Sequence, residues 1–342
     1  ATEPSEPQKA RTMGLALCLG LFAGVGLGLL REWKDQRLRS TQEISALLGL
    51  PVLGVVPSMT APKQTLAIRG QKVRISPDSR EAEAFRTVRT ALFFGRPKDE
   101  ARTILMTSPA PGEGKTMMVA NLGIAIAQAG QRTLIIDTDF RRPTLHRIFD
   151  LHRQAKGLSS VLAGRMGLDE AIEHLGMANL DVLTCGPDVP NPAELLNSNR
   201  FAEVVKTLAQ QYDRVLIDSP PVIAVADAQI LAALCDVTIL VLRAQQSTRR
   251  VSMQACDSLA GVGGRILGVV VNDVPRRSDR YGYSSGYGYH DYNYRSGGDG
   301  HTRKKTPIVE IGGRSERKTK GQLERLRAGL MPDAVPADSP HD

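Results

Sequence analysis

Short apolar runs separated by helical patterns occupy the middle of this chain. Six runs rich in β-branched residues predict strands, at 104–107, 133–137, 180–184, 214–218, 237–242 and 266–271. A seventh run, LPVLGVVP, predicts a strand that ends at Pro57. Because these runs are apolar at consecutive positions and alternate with helices, residues 103–275 predict a doubly wound α/β fold. Its mostly parallel sheet should be covered on both faces.

Upstream of these strands, two segments have helical periodicity. Residues 79–94 place Phe85, Val88 and Leu92 on one face of a helix. The same pattern puts Glu83, Arg86 and Arg89 on or beside the opposite face; on its own, this row indicates a solvated face with one intrahelical ion pair. The segment TQEISALLG predicts a shorter helix that Ser40 or Thr41 could cap.

The N-terminal part of the chain predicts a membrane-spanning helix. After a polar linker at 1–12, residues 13–30 contain no charged side chain and would form a helix about 27 Å long. Gly20, Gly24 and Gly28 would line one face and let another helix approach closely. A signal peptide and a buried core helix are the alternatives. The basic residues that follow from Arg31 place the connector at 31–75, and everything after it, on the cytoplasmic side.

Composition narrows the choice of partners and compartment. The chain has 342 residues, 42% of them hydrophobic, and a net charge of +8, which favours anionic partners such as nucleotides or acidic lipids. Its four cysteines have no close pair and no neighbouring histidine. They support neither a zinc site nor a disulfide framework, and they fit a reducing compartment.

A turn rich in proline and glycine follows the first predicted strand of the sheet. The stretch TILMTSPAPGEGKT passes from strand through turn to helix, which is the order that a phosphate-binding loop requires. Backbone N–H groups of the loop and the start of the helix would hold the phosphates. Lys115 would reach the β- and γ-phosphates, and the Thr116 hydroxyl would bind Mg²⁺. The predicted nucleotide-contacting residues of the loop are Pro111, Gly112, Glu113, Gly114, Lys115, Thr116 and Met117.

One residue departs from the usual phosphate-loop pattern. Pro109 stands where the pattern has its first glycine. The alternative is an ordinary strand-to-helix turn that contains Gly-Lys-Thr by chance.

Acidic residues end two of the other predicted strands. Asp137 and Asp139 follow one apolar run, and Asp218 ends another, as in a Walker B sequence. Because ligands bind at the carboxyl ends of parallel strands, these acids could hold Mg²⁺ or accept a proton from an attacking hydroxyl. The alternative is that each caps the turn after its strand.

Three further polar residues lie at strand ends or just after them. Asn272 either reads the adenine edge or forms a turn. Arg141 and Arg142 could contact phosphate or a neighbouring subunit, and at least one of them is expected on the solvated surface.

Past the sheet region, the composition changes at residue 276. The segment 276–300 is rich in glycine and serine, which predicts disorder. It holds six of the seven tyrosines, at Tyr281, Tyr283, Tyr287, Tyr289, Tyr292 and Tyr294. The remaining 301–342 form a basic extension that predicts disorder and carries no recognisable chemistry.

Six stretches of the chain together resemble the bacterial tyrosine kinases, which are the cytoplasmic domains of polysaccharide co-polymerases. In chain order, these stretches are SPAPGEGKT, LIIDTDFRRPTLH, GLSSVLAG, PNPAELL, YDRVLIDSPP and VVVND. The resemblance is most specific over 103–222. These kinases look like a variant of the deviant-Walker ATPases of the MinD and ParA type. Those carry a signature lysine where this chain has Ala110, and its absence favours the kinase branch.

The resemblance implies a role for each matching residue. Lys115 and Thr116 would bind phosphate and Mg²⁺, Asp137 would activate the tyrosine hydroxyl, and Asp139 and Asp218 would assist at the metal. The row of Glu83, Arg86 and Arg89 matches a ring-forming motif, and the tyrosine cluster matches the segment that one subunit offers to its neighbour's active site.

The resemblance also implies partners and a location. The chain would be an ATP- and Mg²⁺-dependent protein-tyrosine autokinase at the bacterial plasma membrane that regulates exopolysaccharide or capsule export. The implied partners are further copies of the chain, the export machinery, a tyrosine phosphatase and other protein substrates, but no nucleic acid. Related fused proteins carry an earlier membrane helix and an external domain, so this chain is expected to be a C-terminal piece of a longer protein.

Two other functions are compatible with parts of the sequence. A membrane-bound ATPase switch would release inorganic phosphate, but it would have no use for clustered tyrosines. A non-catalytic adaptor could bind polysaccharide or nucleic acid through its tail, but the complete set of Lys115, Thr116 and the three acids argues against a dead site.

Overall fold

The computed structural model describes residues 9–34, 36–59, 65–95, 97, 100–152 and 156–275. The predicted tyrosine segment, with Tyr281 to Tyr294, and the extension at 301–342 lie outside the described residues. Structural statements below concern only the described part of the chain.

An eight-stranded sheet forms the centre of the described chain. Its strands are β1 Val52–Pro57, β2 Thr103–Thr107, β3 Thr133–Asp137, β4 Glu173–His174, β5 Leu180–Leu183, β6 Arg214–Asp218, β7 Val237–Arg243 and β8 Ile266–Val274. They lie in the order β1-β8-β7-β2-β6-β3-β5-β4. Every neighbouring pair is parallel except β4 with β5. The predicted mostly parallel α/β sheet is therefore confirmed, and each of the predicted strands is present.

The helices lie between and before these strands. They are α1 Lys9–Lys34, α2 Thr41–Leu48, α3 Leu66–Gly70, α4 Lys72–Ile75, α5 Arg80–Gly95, α6 Lys115–Gln128, α7 Leu145–Ile148, α8 Leu158–Leu162, α9 Leu168–Ala171, α10 Pro192–Leu196, α11 Asn199–Gln211, α12 Asp227–Leu234 and α13 Arg249–Gly261. The predicted helix at 79–94 is α5, and Ser40 caps α2 by accepting a hydrogen bond from the Glu43 backbone N–H.

Two apolar cores lie on the two faces of the sheet. Leu105 of β2 packs into one core, whereas its neighbours Ile104 and Met106 pack into the other. Every residue of β2, β3 and β6 is buried. This burial on both faces explains why the strands read as continuous apolar runs, since side chains alternate between the faces.

The connector before the phosphate loop packs against the same sheet. Leu38 and Ile44 are almost completely buried in the core, and β1 extends the sheet through parallel pairing with β8. The backbone N–H of Leu38 donates to the carbonyl of Ser247, after β7, at 3.0 Å. Residues 37–58 of the predicted connector are thus held by the sheet and by the turn after β7.

The structure differs from the predictions in three local segments. Helices α3 and α4 occupy part of a stretch predicted as loop, and the two-residue edge strand β4 was not predicted. Helix α1 begins at Lys9, inside the predicted polar linker. The periodicity of apolar residues does not identify these features, because the segments are short or their apolar pattern is weak.

Helix α1 covers the segment predicted to span a membrane. Its apolar side chains are exposed, for example Leu17 and Phe22, each at 78%. Among the residues that the structure describes, no helix is both long enough and apolar enough to cross a bilayer. The transmembrane helix predicted at 13–30 is therefore not shown.

Candidate nucleotide site

The phosphate-loop sequence forms the predicted strand, turn and helix. Strand β2 ends at Thr107, and α6 begins at Lys115. Gly112 and Gly114 have φ angles of 81° and 94°, in the left-handed region that side chains rarely adopt. A Cβ on Gly114 would also collide with the amide of Asn272. Glycine is thus required at Gly114 for both backbone conformation and space.

The N-terminus of α6 faces the loop without a side-chain cap. Gly114 is its N-cap residue, and no side chain accepts a hydrogen bond there. The first N–H groups of a helix need an acceptor and carry partial positive charge. Lys115 is buried to 7% exposure at this terminus. These positive groups suit an anion such as phosphate.

The three predicted acids lie together beside this terminus. Asp137 and Asp218 are paired neighbours at the ends of β3 and β6, and Met106, in the strand that leads into the loop, pairs with Asp218 on its other side. Asp137 and Asp218 are fully buried, and Asp139 is 8% exposed. The fold thus brings together the acids and the loop that the sequence placed at separate strand ends.

Asp218 is the least satisfied of these acids. Both carboxylate oxygens are buried and have no hydrogen-bond partner in the described structure. Burial and then the charge of Asp137 raise its pKa well above the ordinary value, while Lys115 and the Thr116 hydroxyl act in the opposite direction. A buried carboxylate without donors is costly, so the site is suited to a cation at this position.

Asp137 is held by the backbone that follows it. One of its oxygens accepts the Asp139 N–H at 3.1 Å, and the other accepts the N–H groups of Thr144 and Leu145, each at 3.2 Å. Asp137 therefore caps the turn after its strand, as the alternative interpretation of the sequence proposed. Burial raises its pKa to about 6 despite these bonds and the nearby Cys185 thiol, which donates to the Asp137 backbone carbonyl at 3.2 Å.

Asp139 has a smaller set of contacts. One carboxylate oxygen accepts the backbone N–H of Arg142 at 3.0 Å. No cluster of three or more histidine, cysteine or acidic side chains suited to a metal is found in the described residues. An Mg²⁺ ion fits such a sparse site, because it usually keeps several waters and takes one or two carboxylates with phosphate oxygens. Asp218, Asp139 and Thr116 supply oxygen donors of that kind.

Asn272 contacts the phosphate loop directly. Its Nδ2 donates to the carbonyl of Glu113 at 2.8 Å, so one of its two amide hydrogens is used within the protein. The predicted contact with adenine stays a prediction.

A cavity of about 460 Å³ opens beside the loop. It is lined by Arg37, Ser58, Arg243, Ala244, Gln245, Gln246, Asp273 and Pro275. Arg243 joins it to the phosphate loop, because its Nη1 donates to the Gly112 carbonyl at 3.3 Å. The cavity is large enough for a base and ribose next to the phosphates.

Several residues of this region were missed from the sequence. Ser247 and Arg243 contact the loop from the end of β7, and Asp227 forms a two-point ion pair with Arg141 at 2.9 and 3.1 Å. The sequence indicates these residues in only one way, because each lies at or after the carboxyl end of a predicted strand. Arg141 is thus engaged within the chain, and Arg142 is exposed.

The row on α5 is also engaged within the chain. Arg86 pairs with Glu83 at 2.8 Å and donates to the Pro77 carbonyl, while Arg89 donates to the carbonyl of Ala125 on α6 at 3.0 Å. The predicted intrahelical pair is confirmed. A role of this row in ring formation stays a prediction.

Comparisons with known proteins agree with this fold. Residues 101–257 match a family model described as an AAA domain. Tyrosine-protein kinase YwqD of Bacillus subtilis strain 168 is 38% identical over 208 residues, which cover 60% of this chain and 87% of the relative. Tyrosine-protein kinase ptk of Acinetobacter johnsonii is 33% identical over 285 residues, which cover 82% of this chain and 39% of the relative.

A solved structure extends the likeness to three dimensions. The kinase domain of Escherichia coli tyrosine kinase ETK superposes with a TM-score of 0.62 at 30% identity, over 71% of this chain and 97% of that one. The chain spans about two fifths of the length of several relatives that it matches. With the phosphate loop, the grouped acids and these similarities together, the chain belongs to the bacterial tyrosine-protein kinases.

Proposed function

We propose that this chain is an ATP-dependent protein-tyrosine autokinase that phosphorylates the tyrosine cluster at 281–294 of a neighbouring copy. The observation that carries the proposal is the meeting of a glycine-lined phosphate loop with a buried, unsatisfied carboxylate, Asp218. Phosphoryl transfer depends mainly on positioning and on charge stabilisation. The loop, α6 and Lys115 supply the positive groups, and the acids supply the metal ligands.

Each residue of the site takes one role in this proposal. The loop N–H groups and Lys115 hold and orient the phosphates of ATP, and the cavity beside Arg243 accepts the base and ribose. Thr116, Asp218 and Asp139 would hold Mg²⁺, which when bound neutralises charge on the transferred phosphate and the leaving group.

In the same proposal, Asp137 accepts the proton of the tyrosine hydroxyl. A carboxylate has about four acceptor positions, and the backbone occupies three of those on Asp137. A pKa of about 6 suits a base that works near neutral pH.

The proposal includes a site of action. The protein would act at the bacterial plasma membrane, with its kinase domain on the cytoplasmic side, and would regulate the polymerisation and export of exopolysaccharide or capsule. Support for the membrane location comes from the exposed apolar side chains of α1. Phosphates on clustered tyrosines would each add about −1.5 to −2 charge, enough to loosen contacts between copies in a ring.

Phosphotyrosine mass spectrometry after incubation with Mg-ATP tests the activity. We expect phosphate on tyrosines between 281 and 294 in the wild-type chain, and none in Lys115→Met, which lacks the phosphate-binding charge. A variant with those tyrosines changed to phenylalanine should keep nucleotide binding and lose the label. Release of inorganic phosphate with an unlabelled tail would instead identify an ATPase switch.

A further inference from the structure

The Glu113 side chain is a buried acidic group within the phosphate loop. Its carboxylate is 2% exposed, and its negative charge would repel a nearby triphosphate. Both carboxylate oxygens accept hydrogen bonds from protein groups. Oε2 accepts the backbone N–H of Ala110 at 3.0 Å, and Oε1 accepts the hydroxyl of Ser247 at 2.5 Å. The first bond closes the loop across Pro111 and Gly112, and the second joins the loop to the turn after β7.

Ser247 is itself fixed in position. Its Oγ accepts the backbone N–H of Arg243 at 2.8 Å, and its backbone N–H donates to the Arg243 carbonyl at 3.0 Å. Because the hydroxyl already accepts one bond, its single proton is available for Glu113. The hydroxyl is therefore a directed donor that rests on β7.

Two more contacts hold the loop from the same side. Arg243, itself oriented by an ion pair with Asp273 at 2.6 Å, donates to the carbonyl of Gly112, and Asn272 donates to the carbonyl of Glu113. These bonds turn two loop carbonyls toward β7 and β8. They leave the loop N–H groups for other partners.

We propose that Glu113 is a positioning residue that holds the phosphate loop in its nucleotide-binding shape through Ser247. The carboxylate acts on the loop backbone and makes no contact with the phosphates. Nucleotide affinity then depends on a hydroxyl in the turn after β7, outside the loop sequence. This inference rests on the proposed nucleotide site.

A double-mutant cycle on nucleotide affinity tests the pair. The probe is a fluorescent Mg-ADP analogue titrated into the full chain. We expect Glu113→Ala and Ser247→Ala each to weaken binding about tenfold, since each removes a bond to a charged group. The double variant should be close to the weaker single variant, because both changes break one linkage.

A conservative variant separates positioning from simple packing. In Glu113→Gln the amide oxygen can accept from Ala110 and the Nε2 can donate to Ser247 Oγ, which has a second acceptor position. We expect Glu113→Gln to bind the probe within about threefold of wild type. Ser247→Ala and Glu113→Gln are small changes. If Glu113→Ala does not fold, the nucleotide affinities of these two variants still test the proposal.

The controls and contrary outcomes are distinct. The matched controls are Ser258→Ala, at a half-buried position, and Glu203→Ala, at an exposed one. Both should leave the affinity unchanged, and melting temperatures without nucleotide will show that each variant folds. Unchanged affinity in Ser247→Ala would overturn this inference. So would a double variant whose affinity falls about a hundredfold, which is the product of the two single effects. In either case, the proposed function stands as long as the wild-type chain binds the probe. A wild-type chain that does not bind Mg-ADP would overturn both.

Discussion

At the scale of single residues, Asp218 is placed for ligand binding at a cost to stability. Its neighbours in β2 and β3 are buried with it, yet within the described chain neither carboxylate oxygen has a hydrogen-bond partner. Asp137, one strand away, is satisfied by backbone N–H groups and still has a raised pKa. Two adjacent buried acids stabilise neither the fold nor each other, so their arrangement is explained by what they bind.

The stability of the Mg²⁺-free protein should therefore depend on pH. Burial raises the pKa of Asp137 and of Asp218 in the folded state, so the folded protein binds protons more readily than the unfolded chain. Stability is highest below the unfolded pKa of about 4 and is lost as pH rises toward the folded values. For Asp137, with a folded pKa of about 6, the loss between pH 4 and 7 is about 2 kcal/mol.

Asp218→Asn should weaken this pH dependence, because it removes one of the two coupled charges. Urea unfolding in EDTA should show a smaller loss of unfolding free energy between pH 4 and 7 than in wild type. At pH 7 we expect a gain of about 2 kcal/mol over wild type. Added Mg-ADP should stabilise wild type and have little effect on the variant; equal pH slopes in the two proteins would contradict the role given to Asp218.

At the scale of elements, the connector between α1 and the phosphate loop belongs to the folded sheet. Strand β1 adds an edge to β8, and α2 packs Ile44 into the core. An ion pair at 2.7 Å between Glu43 of α2 and Arg249 of α13 joins the connector to the helix between β7 and β8. Leu38 contributes most directly, since it is 2% exposed and its backbone bonds to Ser247.

Leu38→Ala should consequently destabilise the whole sheet region. Removal of a buried leucine side chain costs about 2 to 5 kcal/mol, depending on how far the cavity collapses. Ile75→Ala, at a side chain that is 52% exposed, is the matched control and should cost less than about 1 kcal/mol. Denaturant unfolding of both variants measures the difference, and a similar small cost for each would show that the connector folds independently.

At the scale of the whole molecule, the chain leaves the sheet beside the cavity. Pro275, the last described residue, lines that cavity. Tyr281 is six residues further along the sequence, and Tyr294 is nineteen residues further. The proposed acceptor tyrosines therefore follow the cavity-lining Pro275 directly in sequence.

We expect phosphate transfer to occur between chains. Mixing full-length Lys115→Met with a wild-type chain that ends at Pro275 separates the acceptor tail from the active site. With Mg-ATP, the Lys115→Met tail should become phosphorylated, as mass spectrometry would detect. Lys115→Met alone is the control, and a tail that stays unlabelled in the mixture would show that each chain modifies only itself.

From the sequence alone, the strands of the parallel sheet and the polar residues at their ends could be predicted. Apolar runs located each of the parallel strands in the described part of the chain, because strands buried on both faces leave a continuous signal. The phosphate loop with its flanking strand and helix, and the acids at strand ends, followed from local residue types. Short pieces such as α3, α4 and β4 could not be predicted, since few residues carry too little periodicity.

Contacts between distant parts of the chain were decided by the tertiary structure. Strand order placed Asp218 beside Asp137, and it brought Ser247 and Asn272 to Glu113 across more than 130 residues of sequence. Parallel pairing determines such neighbours through crossovers that residue patterns do not specify. Local chemistry could therefore be read from the sequence, whereas the supports of the phosphate loop depend on which strands lie next to one another.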